Sequence, residues 1–367
     1  MLRVSVVRNV LPATEPTRMP ARPATPARRH QWIDVLRGTS VLMVIVLHAY
    51  QYAFSGYVPD GVEMRHSALT DAVRAVNVAC APFRMQLMFL LSGLFVARSL
   101  DKGSAPYLLG KLRHVLYPFL LWSLVIFLIR DGGAALLKRE PVQWAQLGMI
   151  VTGTSTLTWF LYDLFIFYLV TPYLRRFNPL LVVLGAGLLA LLVPPSLYVQ
   201  PALFYYFIYF FVGDYVTRAK IDLSAWPGLG WLLLSAVSLV ALMLVAHLGG
   251  LPKQWPGYLP LVLGALPLLV QAAAFASRFA WSAPLTFVGR NSIVFYLLHY
   301  PPYIVLAYPL HKLSHDGTLL LGALLAAGLG VPLLVCLLRD RFGVGAVNLL
   351  FSMPDRDARQ RLLTQRA

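Results

Sequence analysis

The sequence is poor in charged residues and in cysteine. Charged side chains make up 13% of the 367 residues and hydrophobic ones 58%, with a mean hydropathy of +0.67. A soluble domain carries about 25% charged residues, so this composition excludes a soluble globular protein. The two cysteines, Cys80 and Cys336, lie in apolar segments far apart in the chain and indicate neither a disulfide framework nor a metal cluster. Without His/Cys metal spacing or a glycine-rich phosphate loop, we expect no metal and no tightly bound cofactor.

Acidic residues are the scarcer charged class. Lys and Arg number 31 against 15 Asp and Glu, for a net charge of +16. The basic residues stand between apolar segments and do not form one soluble face, which argues against nucleic-acid binding. With the N-terminus inside, 23 of the 31 basic residues fall on the cytoplasmic side. The positive-inside rule therefore predicts that both termini are cytoplasmic.

Long apolar segments are the main feature of the sequence. They predict an all-α polytopic membrane protein with about ten transmembrane helices, at 33–54, 80–97, 115–130, 157–174, 179–193, 197–217, 227–248, 257–276, 284–309 and 317–338. The polar stretch 131–156 is predicted to be an amphipathic or re-entrant connection on the outer face.

Three regions follow from this division. Residues 1–29 are rich in Pro and Arg and lack a signal-peptide pattern, which predicts a disordered basic cytoplasmic tail. Residues 30–341 form the membrane domain. Residues 342–367 are predicted to form a cytoplasmic interfacial helix and tail.

The first apolar segment carries three ionisable residues, Asp34, Arg37 and His48. Arg37 and His48 are eleven residues apart, about 1100° of helical rotation, so both lie on one stripe about 16 Å apart along the axis. Ionisable residues inside a membrane are costly and indicate function. The alternative is that Arg37 anchors the helix at the interface and His48 makes a helix–helix contact.

Four segments resemble motifs of the acyltransferase-3 family of integral membrane O-acyltransferases. The first segment has the family's Arg, ten residues and then His, here Arg37 and His48. The others, in the family's order, are MFLLSGLF (88–95), WFLYDLFIFYL (159–169) and SIVFYLLHYP (292–301).

The resemblance implies a reaction and its donor site. Members move an acyl group, usually acetyl from cytoplasmic acetyl-CoA, onto a sugar hydroxyl. His48 is then the general base, Arg37 binds the donor and Asp34 orients Arg37. Lys111 and Arg113 are expected to bind donor phosphates, although the family usually has two arginines three apart there. An acyl-histidine relay is a second possible route.

Four residues are candidates for the acceptor site or an acyl tunnel: Arg84, Trp159, Tyr162 and His299. Each has an alternative interpretation. Arg84 is expected to face a cavity or to pair with Glu63 or Asp71, and the two aromatic residues suit a membrane interface equally well. His299 either lines the acceptor path or satisfies carbonyls freed by the prolines that follow it.

Two aspartates, Asp163 and Asp214, lie within apolar segments and are expected to pair with arginines of the bundle, or, for Asp163, to orient a histidine.

The sequence thus predicts a bacterial inner-membrane O-acetyltransferase that modifies an exported or lipid-linked polysaccharide, for example a xanthan-type exopolysaccharide. Its expected partners are acetyl-CoA, the glycan acceptor, the lipid bilayer and polysaccharide biosynthesis machinery. One alternative is a proton-coupled transporter or glycan/lipid flippase, which predicts half-chain repeats that the sequence does not show. Another is a non-catalytic subunit of a glycan synthase.

Overall fold

A computed structural model describes the chain over 31–54, 58, 63–139, 141–153, 157–193, 202–248, 254–342 and 345–354. These residues form helices and connections without a strand, and an isolated bridge joins Arg65 to Asp316. The predicted all-α class is confirmed. The basic tail predicted over 1–29 and the chain beyond residue 354 lie outside the described residues.

The α-helices are, in chain order, α1 (Gln31–Phe54), α2 (Ala68–Gly93), α3 (Val96–Leu100), α4 (Ser104–Lys111), α5 (Tyr117–Phe127), α6 (Gly133–Lys138), α7 (Ala145–Thr152), α8 (Trp159–Leu174), α9 (Pro179–Leu192), α10 (Leu203–Arg218), α11 (Leu229–Leu248), α12 (Leu259–Ala276), α13 (Ala283–Arg290), α14 (Ser292–Leu298), α15 (Tyr300–Leu313) and α16 (Gly317–Arg341). π-helical turns cover Leu112–Leu116 and Leu128–Gly132. Short 3-10 helices cover Pro256–Tyr258, Ala280–Ser282 and Gly345–Leu350.

Within the described ranges, seven helical stretches are long and apolar enough to cross a membrane. They are Gln31–Phe54, Ala68–Leu100, Ser104–Gly132, Leu229–Leu248, Pro256–Ala276, Ser292–Leu313 and Gly317–Arg341. The prediction of a polytopic membrane protein is therefore confirmed. Helices α8, α9 and α10 are shorter, at 16, 14 and 16 residues. The total of ten crossings and the cytoplasmic position of both termini stay predictions.

Helix α2 begins twelve residues before the apolar segment predicted at residue 80. Ser67 caps it, since its hydroxyl accepts the Thr70 N–H at 3.2 Å and the Thr70 hydroxyl accepts the Ser67 N–H at 2.8 Å. Asp71 and Arg74 occupy the early turns and lower the local hydropathy. Hydropathy therefore detects only the apolar later part of this helix.

The single span predicted at 284–309 is three helices, α13 to α15. The chain leaves regular helix at Asn291 and again at His299. Pro301 and Pro302 follow the second break and have no N–H to donate to the preceding turn. The break leaves His299 at the junction of α14 and α15.

The two predicted connections contain short helices. The stretch 131–156 holds α6 and α7. The predicted helix at 342–351 is a 3-10 turn over Gly345–Leu350, which packs against α5. Its Leu349 and Leu350 carbonyls accept hydrogen bonds from Tyr117 at 2.8 Å and Trp122 at 2.7 Å.

Close contacts at glycine residues determine how the central helices pack. Helix α1 packs against α2, α12, α13 and α16. A methyl group on Gly38 of α1 would overlap the main chain of α13, and one on Gly289 of α13 would overlap the main chain of α1. Gly93 and Gly213 have the same reciprocal relation between α2 and α10. Small residues of this kind allow helix backbones in membranes to approach closely.

We expect Gly289→Ala to lower the melting temperature of the detergent-purified protein. The added methyl overlaps main chain that no side-chain rotation can relieve, and overpacking of this kind costs about 1–3 kcal/mol, or about 1–4 °C for a chain of this length. Gly322→Ala on α16 is the matched control, because open space surrounds that position. Equal melting temperatures for the two variants would contradict the close α1–α13 contact.

Candidate active site

Two histidines from distant parts of the chain meet between the helices. His48 Nδ1 lies 2.9 Å from His299 Nε2, and their rings are stacked with centroids 5.2 Å apart. His48 lies late in α1 and His299 at the α14–α15 junction, 251 residues further along the chain. The sequence indicated a similar depth for both residues but did not predict that they touch.

The hydrogen-bond partners determine the tautomers of a neutral pair. His299 Nδ1 lies 3.0 Å from the Phe295 carbonyl oxygen, which only accepts, so Nδ1 carries the proton. His299 Nε2 then has a lone pair and accepts the His48 Nδ1–H. The unprotonated nitrogen of His48 is therefore Nε2. An imidazole whose other nitrogen is oriented in this way is suited to act as a general base.

Tyrosines surround the histidine pair. The Tyr300 ring meets His48 edge-on at 5.5 Å, and its hydroxyl is hydrogen-bonded to that of Tyr52. The Tyr303 ring packs against His299 at 5.8 Å. These contacts hold the two imidazoles on three sides.

Neither interpretation of His299 is met as stated. The carbonyl that its ring contacts belongs to Phe295, which also accepts the His299 main-chain N–H and is not freed by the prolines. A position on the acceptor path stays a prediction.

Arg84 has a main-chain partner. It is 3% exposed and donates to the Asn77 carbonyl oxygen at 2.8 Å. Pairing with Glu63 or Asp71 was wrong: among the described residues Arg84 makes no ion pair, and Asp71 lies 3.5 Å from His66 instead. Asn77, the partner of Arg84, lines a recess together with Leu47, the residue before His48 in α1.

Asp34 and Arg37 lie near the start of α1. Asp34 is 1% exposed and accepts a hydrogen bond from Arg290 Nε at 3.2 Å. The Arg37 guanidinium lies over the Phe95 ring at 5.3 Å. Sequence reasoning missed Arg290 as a partner of Asp34, because no local pattern links residues 256 positions apart.

Lys111 lies against a tyrosine of α8. Its Nζ lies 3.7 Å from the centroid of the Tyr168 ring, and the Tyr107 hydroxyl donates to the Tyr168 carbonyl at 2.7 Å. Arg113 lies on the π-helical turn, where its carbonyl accepts the Met353 N–H at 3.1 Å. Lys111 therefore packs on an aromatic ring, as Arg37 does, whereas Arg113 lies beside the C-terminal segment.

Trp159 and Tyr162 contact different neighbours. Trp159 stacks on Tyr206 of α10 at 5.3 Å, whereas Tyr162 packs on Phe119 of α5 at 5.6 Å. Their place in an acceptor site or tunnel stays a prediction.

The two buried aspartates differ in their partners. Asp214 pairs with Arg175 and with Arg218 Nε at 3.0 Å, which confirms the pairing predicted for it. The pairing predicted for Asp163 was wrong, because neither of its carboxylate oxygens has a hydrogen-bond partner.

Two cavities lie at opposite ends of α1. The first, of about 270 Å³, is lined by Trp32 and Ile33 of the first turn together with Phe95, Arg98 and Lys220. The second, of about 250 Å³, is lined by Leu47, Tyr50 and Gln51 of the last turns together with Arg74 and Asn77. The helix that carries Arg37 and His48 therefore connects two recesses, one near each residue.

Membrane-crossing helices with an ionisable histidine pair buried between them define a polytopic membrane protein with an internal polar site. The model of a family described as "Acyltransferase domain", acyltransferase family 3, matches residues 30–339. The chain belongs to this family and is a membrane acyltransferase. Neither the search of curated proteins nor that of solved structures found a match.

We expect His299→Phe to lower kcat for acyl transfer about a hundredfold or more, because His48 loses the acceptor that sets its tautomer. His299→Gln retains an acceptor near the Nε2 position and should recover most of that loss. Turnover by the purified variants, with melting temperatures measured in parallel, checks this. Equal losses for Phe and Gln would show that His299 only fills space.

Proposed function

We propose that the protein transfers an acetyl group from cytoplasmic acetyl-CoA to a sugar hydroxyl of an exported or lipid-linked polysaccharide. The observation that carries the proposal is the chain of contacts from Phe295 through His299 to His48, in a protein of an acyltransferase family. That chain leaves His48 Nε2 free to take a proton.

The donor side of the proposal rests on the cations near the start of α1. Coenzyme A carries several phosphate charges, which arginine and lysine bind through charge-assisted hydrogen bonds. Lys111 lies against Tyr168. Arg37 lies over Phe95, which lines a cavity together with Arg98 and Lys220. Acetyl-CoA acts as a co-substrate, and Arg113 is a further candidate to contact it.

The reaction uses His48 as acid and base in turn. The acceptor hydroxyl oxygen attacks the thioester carbonyl carbon while His48 Nε2 takes the hydroxyl proton. The resulting imidazolium keeps its Nδ1–H on His299. When the C–S bond breaks, the sulfur takes the proton from Nε2, which yields the acetyl ester and CoA thiol and returns His48 to its starting state. In the alternative route, His48 Nε2 itself attacks the thioester carbonyl carbon, and the C–S bond breaks to release CoA thiolate. The acceptor hydroxyl oxygen then attacks the acyl-histidine carbonyl carbon and the C–N bond to Nε2 breaks, while the thiolate takes the hydroxyl proton, which yields the acetyl ester, CoA thiol and neutral His48.

The acceptor side of the proposal rests on the residues around the histidine pair and on the second cavity. The Asn77 carbonyl accepts a hydrogen bond from Arg84, and Asn77 lines that cavity together with Leu47, the neighbour of His48. The acceptor would enter there, opposite the donor, from the outer face of a bacterial inner membrane. An exopolysaccharide, modified alongside its biosynthesis machinery, fits such an entry.

We expect His48→Ala to lower CoA release from acetyl-CoA about 10²- to 10⁴-fold in the presence of a crude glycan acceptor, since a positioned general base contributes about that factor. Binding of CoA and the melting temperature should change little. Normal turnover in His48→Ala would eliminate the general-base role. No CoA release by the unmodified protein with any acceptor would overturn the proposed function and favour a transporter.

We expect Arg37→Ala and Lys111→Met each to raise the KM for acetyl-CoA about tenfold or more with a smaller effect on kcat, because they remove a charged contact to the donor. Arg176→Gln is the matched control, an exposed arginine on the predicted cytoplasmic side that lies over Tyr173 at 6.0 Å. Unchanged KM values in both Arg37 and Lys111 variants would move the donor site elsewhere.

A further inference from the structure

The π-helical turn before α5 contains a carbonyl whose donor comes from outside the helix. In a regular α-helix the Arg113 carbonyl would accept the N–H of Tyr117, four residues further on. In this chain the Tyr117 N–H donates to the Leu112 carbonyl instead, five residues back. The next residue, Pro118, has no N–H to donate. The helix therefore offers the Arg113 carbonyl no donor at either position.

The last segment that the structure describes, 345–354, supplies this donor. The Met353 N–H donates to the Arg113 carbonyl oxygen at 3.1 Å. Beside it, Ser352 Oγ lies within hydrogen-bond distance of His114 Nδ1, at 3.0 Å, although 238 residues separate the two in the chain. Residues 345–354 are named the C-terminal strap here, because they follow α16 and cross to the π-helical turn and to α5.

The C-terminal strap is also anchored on α5. The Tyr117 hydroxyl donates to the Leu349 carbonyl at 2.8 Å, and the Trp122 indole N–H donates to the Leu350 carbonyl at 2.7 Å. The Phe351 ring is buried and stacks on the Trp122 ring with centroids 6.0 Å apart. Every residue over 349–353 therefore contacts the stretch 113–122, four of them by a hydrogen bond and Phe351 by its ring.

Most of the C-terminal strap lies on the surface of the protein. The side chains of Leu349, Leu350 and Met353 are 45%, 40% and 49% exposed, whereas that of Phe351 is 6% exposed. A surface segment with one buried ring and a few hydrogen bonds opens at a low free-energy cost compared with global unfolding. We therefore expect that the strap can be released while the helix bundle stays folded.

The turn that the C-terminal strap contacts carries two of the proposed donor-site cations. Lys111 directly precedes the π-helical turn, and Arg113 is its second residue. A π-helical turn places one more residue between hydrogen-bonded partners than an α-helix does, so it rotates the residues before it relative to those after it. The directions of Lys111 and Arg113 relative to α5 therefore depend on whether the turn keeps its π-helical form.

We infer that the C-terminal strap positions the donor site. The Met353 N–H stabilises the π-helical turn by pairing with the Arg113 carbonyl, and the turn holds Lys111 and Arg113 in the orientation that meets the donor phosphates. Met353 is thereby a positioning residue that acts through its main chain, and Phe351 anchors it. This inference rests on the proposed use of acetyl-CoA, and it adds the end of the described chain to the elements that determine donor binding.

Met353→Pro tests the inference, because proline removes the N–H that the Arg113 carbonyl accepts. Phe351→Ala, a second variant, removes the buried ring that anchors the strap. We expect each to raise the KM for acetyl-CoA about three- to tenfold, as expected for the loss of one hydrogen bond, with kcat and the acceptor KM nearly unchanged. Amide hydrogen exchange at 112–117 should accelerate at least about threefold, whereas exchange in α11 should not change.

Met353→Leu is the conservative variant. The Met353 side chain is exposed, and leucine keeps the main-chain N–H. This variant should therefore have the donor KM and the hydrogen exchange of the unmodified protein. An equal rise of the donor KM in Met353→Leu and Met353→Pro would assign the effect to the side chain and overturn the role of the main-chain hydrogen bond.

Hydrogen exchange separates the two proposals, because it requires no turnover. Unchanged exchange at 112–117 in both Met353→Pro and Phe351→Ala overturns the stabilisation of the turn by the strap. Faster exchange with an unchanged KM for acetyl-CoA, while the unmodified protein turns over, overturns the positioning role and leaves the proposed function standing. Failure of the unmodified protein to release CoA with any acceptor overturns the proposed function, and the donor role of the strap with it.

Discussion

The cost of burying polar groups among membrane-crossing helices is the constraint on which this structure depends. A polar side chain there finds its partner within the protein or is left unsatisfied at a cost. Asp214 meets two arginines, Asp34 meets Arg290, and His48 meets His299. Apart from the Asp214–Arg218 pair within α10, these contacts join separate helices, so the same interactions that satisfy buried groups also determine how the helices are arranged.

Close packing makes these contacts possible. Glycines at the α1–α13 and α2–α10 interfaces bring main chains together where no side chain fits. At the first interface, Gly289 contacts the main chain of Asp34, and its neighbour Arg290 meets the Asp34 carboxylate. The helix that carries Arg37 and His48 is therefore held on one side by a carboxylate–arginine contact and on another by the histidine pair.

Some buried polar groups have no hydrogen-bond partner. They include Arg84 Nε and both carboxylate oxygens of Asp163, and others lie elsewhere in the bundle, at Ser40 and Thr171. Groups of this kind reduce stability, and sites that bind a polar ligand accept such a reduction because the ligand supplies the missing partners. The arrangement favours an enzyme that takes its polar substrate into the helix bundle.

The sequence by itself determined the membrane class, the apolar segments, the family and the stripe that carries Arg37 and His48, because hydropathy and helical periodicity are local properties. It also indicated that His299 lies at a depth similar to His48. Only the tertiary structure decided that the histidines touch, that Arg290 meets Asp34, and that Asp163 has no partner. Those outcomes depend on how each helix is rotated against neighbours up to 256 residues away in the chain, which no local pattern encodes.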